Sequence, residues 1–505
     1  MAESSESRFL GPPSVRARTA ENVAILLVLQ WIIRVFAVVT KIVLARILFP
    51  EDFGIFALAA GLIGITTVLG NFGLDYALIQ RSDAAREEDY EVAMSLRVAL
   101  SVILLATTMV VAFPWAALFG VPALARASQV LAIVYLITPW GFVPTVKLLV
   151  KLDYRRLIVP NVLLQVVNSG LSIGLAILGF GFWSLIAAMV VSQIAWVVSV
   201  SFAHPWRPRF RFSRAVAKPL LSYSQHLLLA SLLTFLMTNV DNFTVGYLLG
   251  PATLGYYAIA YSLCLFSSMV SGSAASALFP SLSKIQADPE RVRRGYLESF
   301  AYASATVAPI AIGLAVMAPE IVRVLLGAVW TPSIVPLVIL AFYGFAKALV
   351  DFTAPLFASM GQPKALPRLN GLILGGSVLL LFPLTLMFGI AGTAVAMLLP
   401  ISVAVVVAFH WAAGLLKARI GDFVTRLAGP LLAAETAGIT AGLTKWILYA
   451  MVLNPRAGLV ADLVALVAAL AVGGLVYVFS LRVVDREVYL GLGRHLRLVL
   501  PLPRP

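Results

Sequence analysis

The sequence predicts an all-α polytopic membrane protein of about 14 transmembrane helices, with two six-helix lobes related by an internal repeat and two extra C-terminal helices. Three observations carry this. The first is composition: of 505 residues, 61% are hydrophobic and only 12% charged, too little charge to cover a water-soluble surface. The second is a repeat. Residues 40–62, TKIVLARILFPEDFGIFALAAGL, align without gaps on 241–263, DNFTVGYLLGPATLGYYAIAYSL, sharing Leu48/Leu249, Pro50/Pro251, Gly54/Gly255, Ala57/Ala258, Ala59/Ala260 and Leu62/Leu263. Duplicated helix pairs of this kind mark transporter folds, with the substrate site between the repeats. The third is the distribution of cations. With 14 spans, 27 of the 37 Lys and Arg fall in the two tails and alternate loops, against four in the opposite loops, which puts both termini in the cytoplasm.

In chain order, a cytoplasmic tail (1–21) lacks the short apolar region and cleavage site of a signal peptide. An N-lobe (22–203) holds spans at 22–48, 54–79, 92–113, 130–150, 157–178 and 182–203. A basic linker follows, 204–219, HPWRPRFRFSRAVAKP, suited to lie on anionic headgroups. The C-lobe (220–414) holds spans at 220–249, 254–283, 297–318, 334–359, 367–388 and 390–414. After a connector (415–428), the extra pair occupies 429–453 and 458–481, and an amphipathic tail (482–505) suits the membrane interface. The longest outer loop is 114–129. Gly170 with Gly174, and Gly371 with Gly375, form GxxxG motifs read as close-packing sites.

The chemistry begins on the first span. Gln30, Arg34 and Lys41 fall within about 40° of one another at 100° per residue, so an apolar helix carries one polar, cationic stripe. A charge at bilayer depth costs at least ~2.5–3.5 kcal/mol, so the stripe is expected to line a pathway. Arg97 and Lys147 lie near cytoplasmic ends and are expected to snorkel, and Asp75 and Glu298 to be solvated. Lys347 and Asp351, four apart, are expected to pair. The repeat sets Thr40-Lys41 against Asp241-Asn242, making Asp241 and Asn242 candidates for a gate or coupling site; a Lys41–Asp241 outer gate is one form of it. Gln165, Asn168, Ser169 and Gln193 are candidate sugar-binding groups, with helix–helix bonding as their plainer role. Glu435 and Lys445, off one another's face on the extra helix, suggest no role. No P-loop, HExxH, CxxC or GxSxG occurs, and the single cysteine, Cys264, excludes an intrachain disulfide framework. Four histidines and no soluble domain point away from an enzyme, no metal site is expected, and the net charge of +14 is read as the Lys/Arg bias of cytoplasmic loops instead of nucleic-acid binding.

The segments LARILFPEDFGIFALA and NFGLDYALIQR, with LGPATLGYYAIAYSL and APEIVRVLLGAVWTPSIVPL later on, resemble the bacterial polysaccharide and oligosaccharide-lipid flippases. These belong to the multidrug/oligosaccharidyl-lipid/polysaccharide exporter superfamily. The resemblance implies two lobes around a central cavity, alternating access, and a polyprenyl-pyrophosphate-linked oligosaccharide as cargo for lipopolysaccharide or exopolysaccharide synthesis. It implies an inner-membrane monomer working beside a polymerase and glycosyltransferases. No cofactor is expected; a proton or sodium gradient is the candidate driving force. The 14 spans are similar to the lipid II flippase branch, which implies pyrophosphate contact for Arg34 and Lys41. A guanidinium suits that role, being charged at any relevant pH and able to bind phosphate bidentately. The rivals are a multidrug exporter of the same superfamily, which calls for acidic pathway residues, and a membrane glycan polymerase or ligase, which calls for a large outer loop.

Overall fold

The computed structural model describes residues 32–71, 73–80, 86–151, 153–452 and 458–499. The described residues are mostly helical, with no strand among them, in two compact units, 1–239 and 240–505, whose boundary falls inside one long helix. A helix satisfies every backbone hydrogen bond within itself, which a lipid-facing segment requires. Among the described residues, eight helices are long and apolar enough to cross a membrane, nine if one bent pair counts as a span.

Unit 1 begins with α1 (32–47), α2 (Pro50–Asn71) and α3 (Leu74–Gln80). The 33-residue α4 (Glu87–Phe119) follows, opened by Glu87, Glu88 and Asp89, acidic residues that suit the positive end of the helix dipole. Next come α5 (Pro122–Leu131), α6 (Val134–Ile137) and α7 (Pro139–Val150), bent by 49° where Pro139 interrupts the run. Two long helices, α8 (Arg155–Ile177) and α9 (Phe182–Ala203), complete the unit. A core of Leu74, Leu78, Tyr90, Met94, Phe142 and Val146 also takes in Leu220, from the first turns of α10 (Arg214–Leu249).

Unit 2 contains the end of α10, then α11 (Pro251–Ile285), α12 (Pro289–Val316) and the short α13 (Ala318–Ile321). It continues with α14 (Ile334–Ser359), α15 (Ala365–Leu416), α16 (Ile420–Ile447), α17 (Gly458–Val484) and α18 (Arg486–Val499). Five aromatic rings on four helices form its centre: Tyr296 and Phe300 of α12, Phe352 of α14, Phe409 of α15 and Phe423 of α16, with centroids 5.2 to 6.4 Å apart. The extra pair is held by charge as well. Lys445 of α16 donates to the Val316 carbonyl at 2.9 Å and pairs with buried Glu320 at 3.1 Å, while Arg323 pairs with Asp462 of α17 at 3.3 Å.

Several expectations change. The outer loop expected at 114–129 is mostly helix, because α4 runs on through Pro114 to Phe119 and stops at Gly120, whose φ of 66° closes the helix in the left-handed region. The break expected between the spans 367–388 and 390–414 is kept: residues 365–416 form two lengths joined at Gly389 (φ 60°, ψ −143°). The Thr385 and Thr393 hydroxyls bond at 2.8 Å although eight residues of straight helix would set them about 12 Å apart, so the chain folds back there. The GxxxG glycines are not close-packing sites: a Cβ on Gly170, Gly174, Gly371 or Gly375 would meet nothing within 4 Å among the described residues. The motif fixes spacing, not which side of the helix faces a neighbour. The amphipathic tail packs on protein, with Val488, Tyr489 and Leu492 of α18 against Ala301, Ala305, Ala433 and Leu481.

Candidate functional site

Unit 1 is hollow. A cavity of about 510 Å³ lies among α2, α3, α4, α6, α7, α8 and α9. Its polar lining comprises Asp75, Arg97, Ser101, Tyr135, Thr138, Asn161 and Gln193, beside the rings of Phe142 and Trp196. The hollow follows from bulk and bending. The α5–α7 segment bends by 49° beside it, and the small side chains of Ser101, Thr138 and Thr145 lie on its wall. Arg97 enters it with its guanidinium 5.5 Å from the Phe142 ring centre, and its buried Nε has no hydrogen-bond partner among the described residues. A buried N–H without a partner is costly, and groups of this kind mark sites completed by something else. The Tyr135 hydroxyl bonds Thr66 and the Ile63 carbonyl, which fixes that wall. Trp196 donates to Asn161 at 3.2 Å. Amides, hydroxyls, one guanidinium and an aromatic face together form a donor and acceptor set suited to a sugar or an anion.

The structure thus differs from two readings of charge. Arg97 does not snorkel; it lines the cavity, as Asp75 does. Lys147 finds Glu87 of α4 at 2.7 Å rather than reaching for headgroups. On a helix apolar all round, no hydrophobic face distinguishes inside from outside, so nothing in the local pattern marked Arg97; its depth was the only signal.

The predicted stripe sits apart from this cavity. Gln30 lies outside the described residues. Arg34 and Lys41 are exposed on one face of α1, while Thr40 turns inward and donates to Ser169 of α8 at 2.7 Å. Gln165 donates to the same Ser169 at 3.0 Å within α8, so Ser169 is engaged in helix–helix bonding with Thr40 and Gln165 supports it from its own helix. Gln193 alone of the four candidates lines the cavity.

In unit 2, Asp241 is fully buried. Tyr257 Oη donates to its Oδ2 at 2.8 Å and the Asn242 N–H to its Oδ1 at 2.9 Å, so neutral donors meet both oxygens. Tyr257, Tyr261 and Tyr343 form a chain of rings from it, with centroids 6.1 and 5.9 Å apart. The Asn242 Oδ1 is buried without a hydrogen-bond partner among the described residues. Lys347 and Asp351 pair at 3.1 Å along α14. Lys445, for which the sequence suggested no role, pairs with Glu320, 125 residues away.

A family profile described as "Polysaccharide biosynthesis protein" matches residues 43–335, more than half the chain. The succinoglycan biosynthesis transport protein ExoT of Rhizobium meliloti (strain 1021) is 27% identical over 293 residues, 58% of this chain and 59% of that relative; the chain thus spans about three-fifths of ExoT's length. The lipopolysaccharide biosynthesis protein WzxC of Escherichia coli (strain K12) is 23% identical over 66% of this chain and 69% of its own. Among solved structures, the lipid II flippase MurJ in an inward closed conformation superposes with a TM-score of 0.73 over 92% of this chain and 99% of that one, at 14% identity, a likeness of fold. The profile, matched across the end of α1, the walls of the hollow unit and the first helices of its partner, shows that this chain belongs to the polysaccharide biosynthesis protein family.

Proposed function

We propose that the protein is a flippase that carries a polyprenyl-pyrophosphate-linked oligosaccharide across the cytoplasmic membrane by alternating access, for lipopolysaccharide or exopolysaccharide synthesis. The observation that carries this is the polar cavity with Arg97 inside a unit otherwise built of apolar helices. Family membership supports the same reading. In this proposal the chain has 14 spans, two six-helix lobes joined by the 204–219 linker, both termini in the cytoplasm, and acts as an inner-membrane monomer beside a polymerase and glycosyltransferases. Gln30, Arg34 and Lys41 receive the pyrophosphate, the glycan occupies the cavity beside Arg97 and Gln193, and the lipid tail stays in the bilayer. Asp241, held only by neutral donors, is better suited to take up a coupling proton or cation than to close a gate with Lys41, with Asn242 beside it. The Lys347–Asp351 pair is assigned to the same coupling role.

The test is headgroup translocation in proteoliposomes, read as access of a leaflet-impermeant reductant to a fluorophore on the glycan. Wild type should expose the label on both sides. Arg34→Ala should abolish this while the protein still inserts, and Arg34→Lys, which keeps charge but loses the guanidinium fork, should be partly active. Transport of a cationic dye, with no movement of any polyprenyl-pyrophosphate glycan, would instead identify a multidrug exporter.

A further inference from the structure

The segment 204–213 leaves α9 and reaches α10 as an open strap on the end of unit 1 where α4 and α8 begin and α7 and α9 finish. It is pinned at several points. Trp206 Nε1 donates to Glu87 Oε1 at 2.5 Å, and the same carboxylate receives Lys147 at 2.7 Å. The Lys147 ammonium sits 4.8 Å from the Tyr90 ring centre and 5.7 Å from that of Trp206. Further along, the Arg211 N–H donates to Ser95 Oγ at 2.9 Å, Arg211 Nε lies 3.6 Å from Glu88, and Phe210 meets Trp140 edge-on at 6.4 Å.

What the pinned strap leaves exposed is specific. Phe210 and Phe212 are 62% and 71% exposed, a large cost for two adjacent aromatics facing water. Arg207, Arg209 and Arg214 are exposed and meet no carboxylate among the described residues, although Arg211 beside them does. Guanidinium and phenyl groups interleave along R-P-R-F-R-F-S-R, on a strap fixed where long apolar helices end. At that depth one neighbour satisfies both kinds of group: a lipid whose phosphate takes the guanidinium fork and whose acyl chains take the rings. An acidic polypeptide would satisfy the arginines and leave the phenyl rings in water.

We infer that the strap is a binding site for the headgroups of anionic phospholipids. Arg207, Arg209 and Arg214 hold the phosphates, and Phe210 and Phe212 are sunk into the acyl boundary. This holds whatever cargo the protein moves. Near a membrane surface each basic residue is worth roughly a fivefold gain in affinity, so the three together should supply on the order of 100-fold. Burial, and then the charge of Lys151, lower the titration of His204, next to the strap, from the ordinary imidazole value. It stays neutral above pH 7, and lipid binding should be flat between pH 7 and 8.

The test is native mass spectrometry of the full chain with dioleoylphosphatidylglycerol or dioleoylphosphatidylcholine added. Wild type should retain the glycerol lipid over the choline lipid. The triple variant Arg207→Gln, Arg209→Gln, Arg214→Gln should lose that preference, and Lys364→Gln, Arg368→Gln, Lys417→Gln, with the same charge change in unit 2, should keep it. Equal loss in both variants, or none in the first, overturns the proposal. A second readout uses the thiol background: the only cysteine, Cys264, is buried. An environment-sensitive dye on Phe212→Cys should shift to the blue in phosphatidylglycerol vesicles and less so once the three arginines are replaced. A dye that reports water in both settings counts against insertion and overturns the acyl half of the claim.

Discussion

The two units share a repeated helix pair but place their buried cations in different settings. Unit 1 leaves Arg97 with an Nε that has no hydrogen-bond partner among the described residues, at the wall of a 510 Å³ cavity. Unit 2 joins Lys445 to Glu320 and Arg323 to Asp462, and fills the space among α12, α14, α15 and α16 with five aromatic rings. An incomplete site costs stability and is expected where a ligand completes it, whereas a closed pair is expected where helices must stay together. Arg97 thus stands apart from Lys445 and Arg323, while Asp241 of unit 2 is bonded but lacks a counter-charge among its hydrogen-bond partners.

The contrast breaks most readily in unit 2. Glu320→Ala leaves Lys445 without its carboxylate in a buried setting and should cost about 3–5 kcal/mol, read as a lower midpoint in a thermal aggregation assay. Replacing both partners with apolar residues of similar size should restore most of that loss; failure to do so would mean the pair is more than a fastening. A smaller effect on stability, with a larger one on transport, is expected in unit 1. Arg97→Met removes an unsatisfied group, so the thermal midpoint should stay or rise while headgroup translocation falls by an order of magnitude or more. A midpoint that falls as far as in Glu320→Ala would make Arg97 a structural group and erase the difference between the units. The smallest change is expected at the glycine pairs. Gly174→Ala and Gly371→Ala meet open space, and helix propensity favours alanine by about 1 kcal/mol, so both should be neutral or slightly stabilising in the same assay.

The helices were readable in the sequence because an apolar run of some 20 residues ended by Gly, Pro or charge has few other outcomes in a membrane. The span expected at 334–359 and α14 (Ile334–Ser359) coincide, as do 182–203 and α9. Less was readable of the site. Arg34 and Lys41 declared a shared face by spacing, but Arg97 is a single cation on a helix with no apolar–polar sidedness, and only the bend of α5–α7 makes room for it. Ser169 looked available because its partner on another helix, Thr40, is 129 residues away. Lys445 looked solitary for the same reason.

The Glu320–Lys445 pair also imposes an order on biogenesis. Glu320 leaves the ribosome 125 residues before the lysine that neutralises it. At about 5–20 residues per second that is an interval of roughly 6–25 s, during which a carboxylate destined for burial has at hand Arg323, 3.6 Å away in the finished fold. The nascent chain must keep the 317–326 region at the bilayer surface or in the insertion machinery until α16 arrives. Polypeptides that stop before α16 would hold Glu320 with Arg323 at hand but without Lys445, which gives membrane quality control a chemical feature by which to tell an unfinished chain from a finished one.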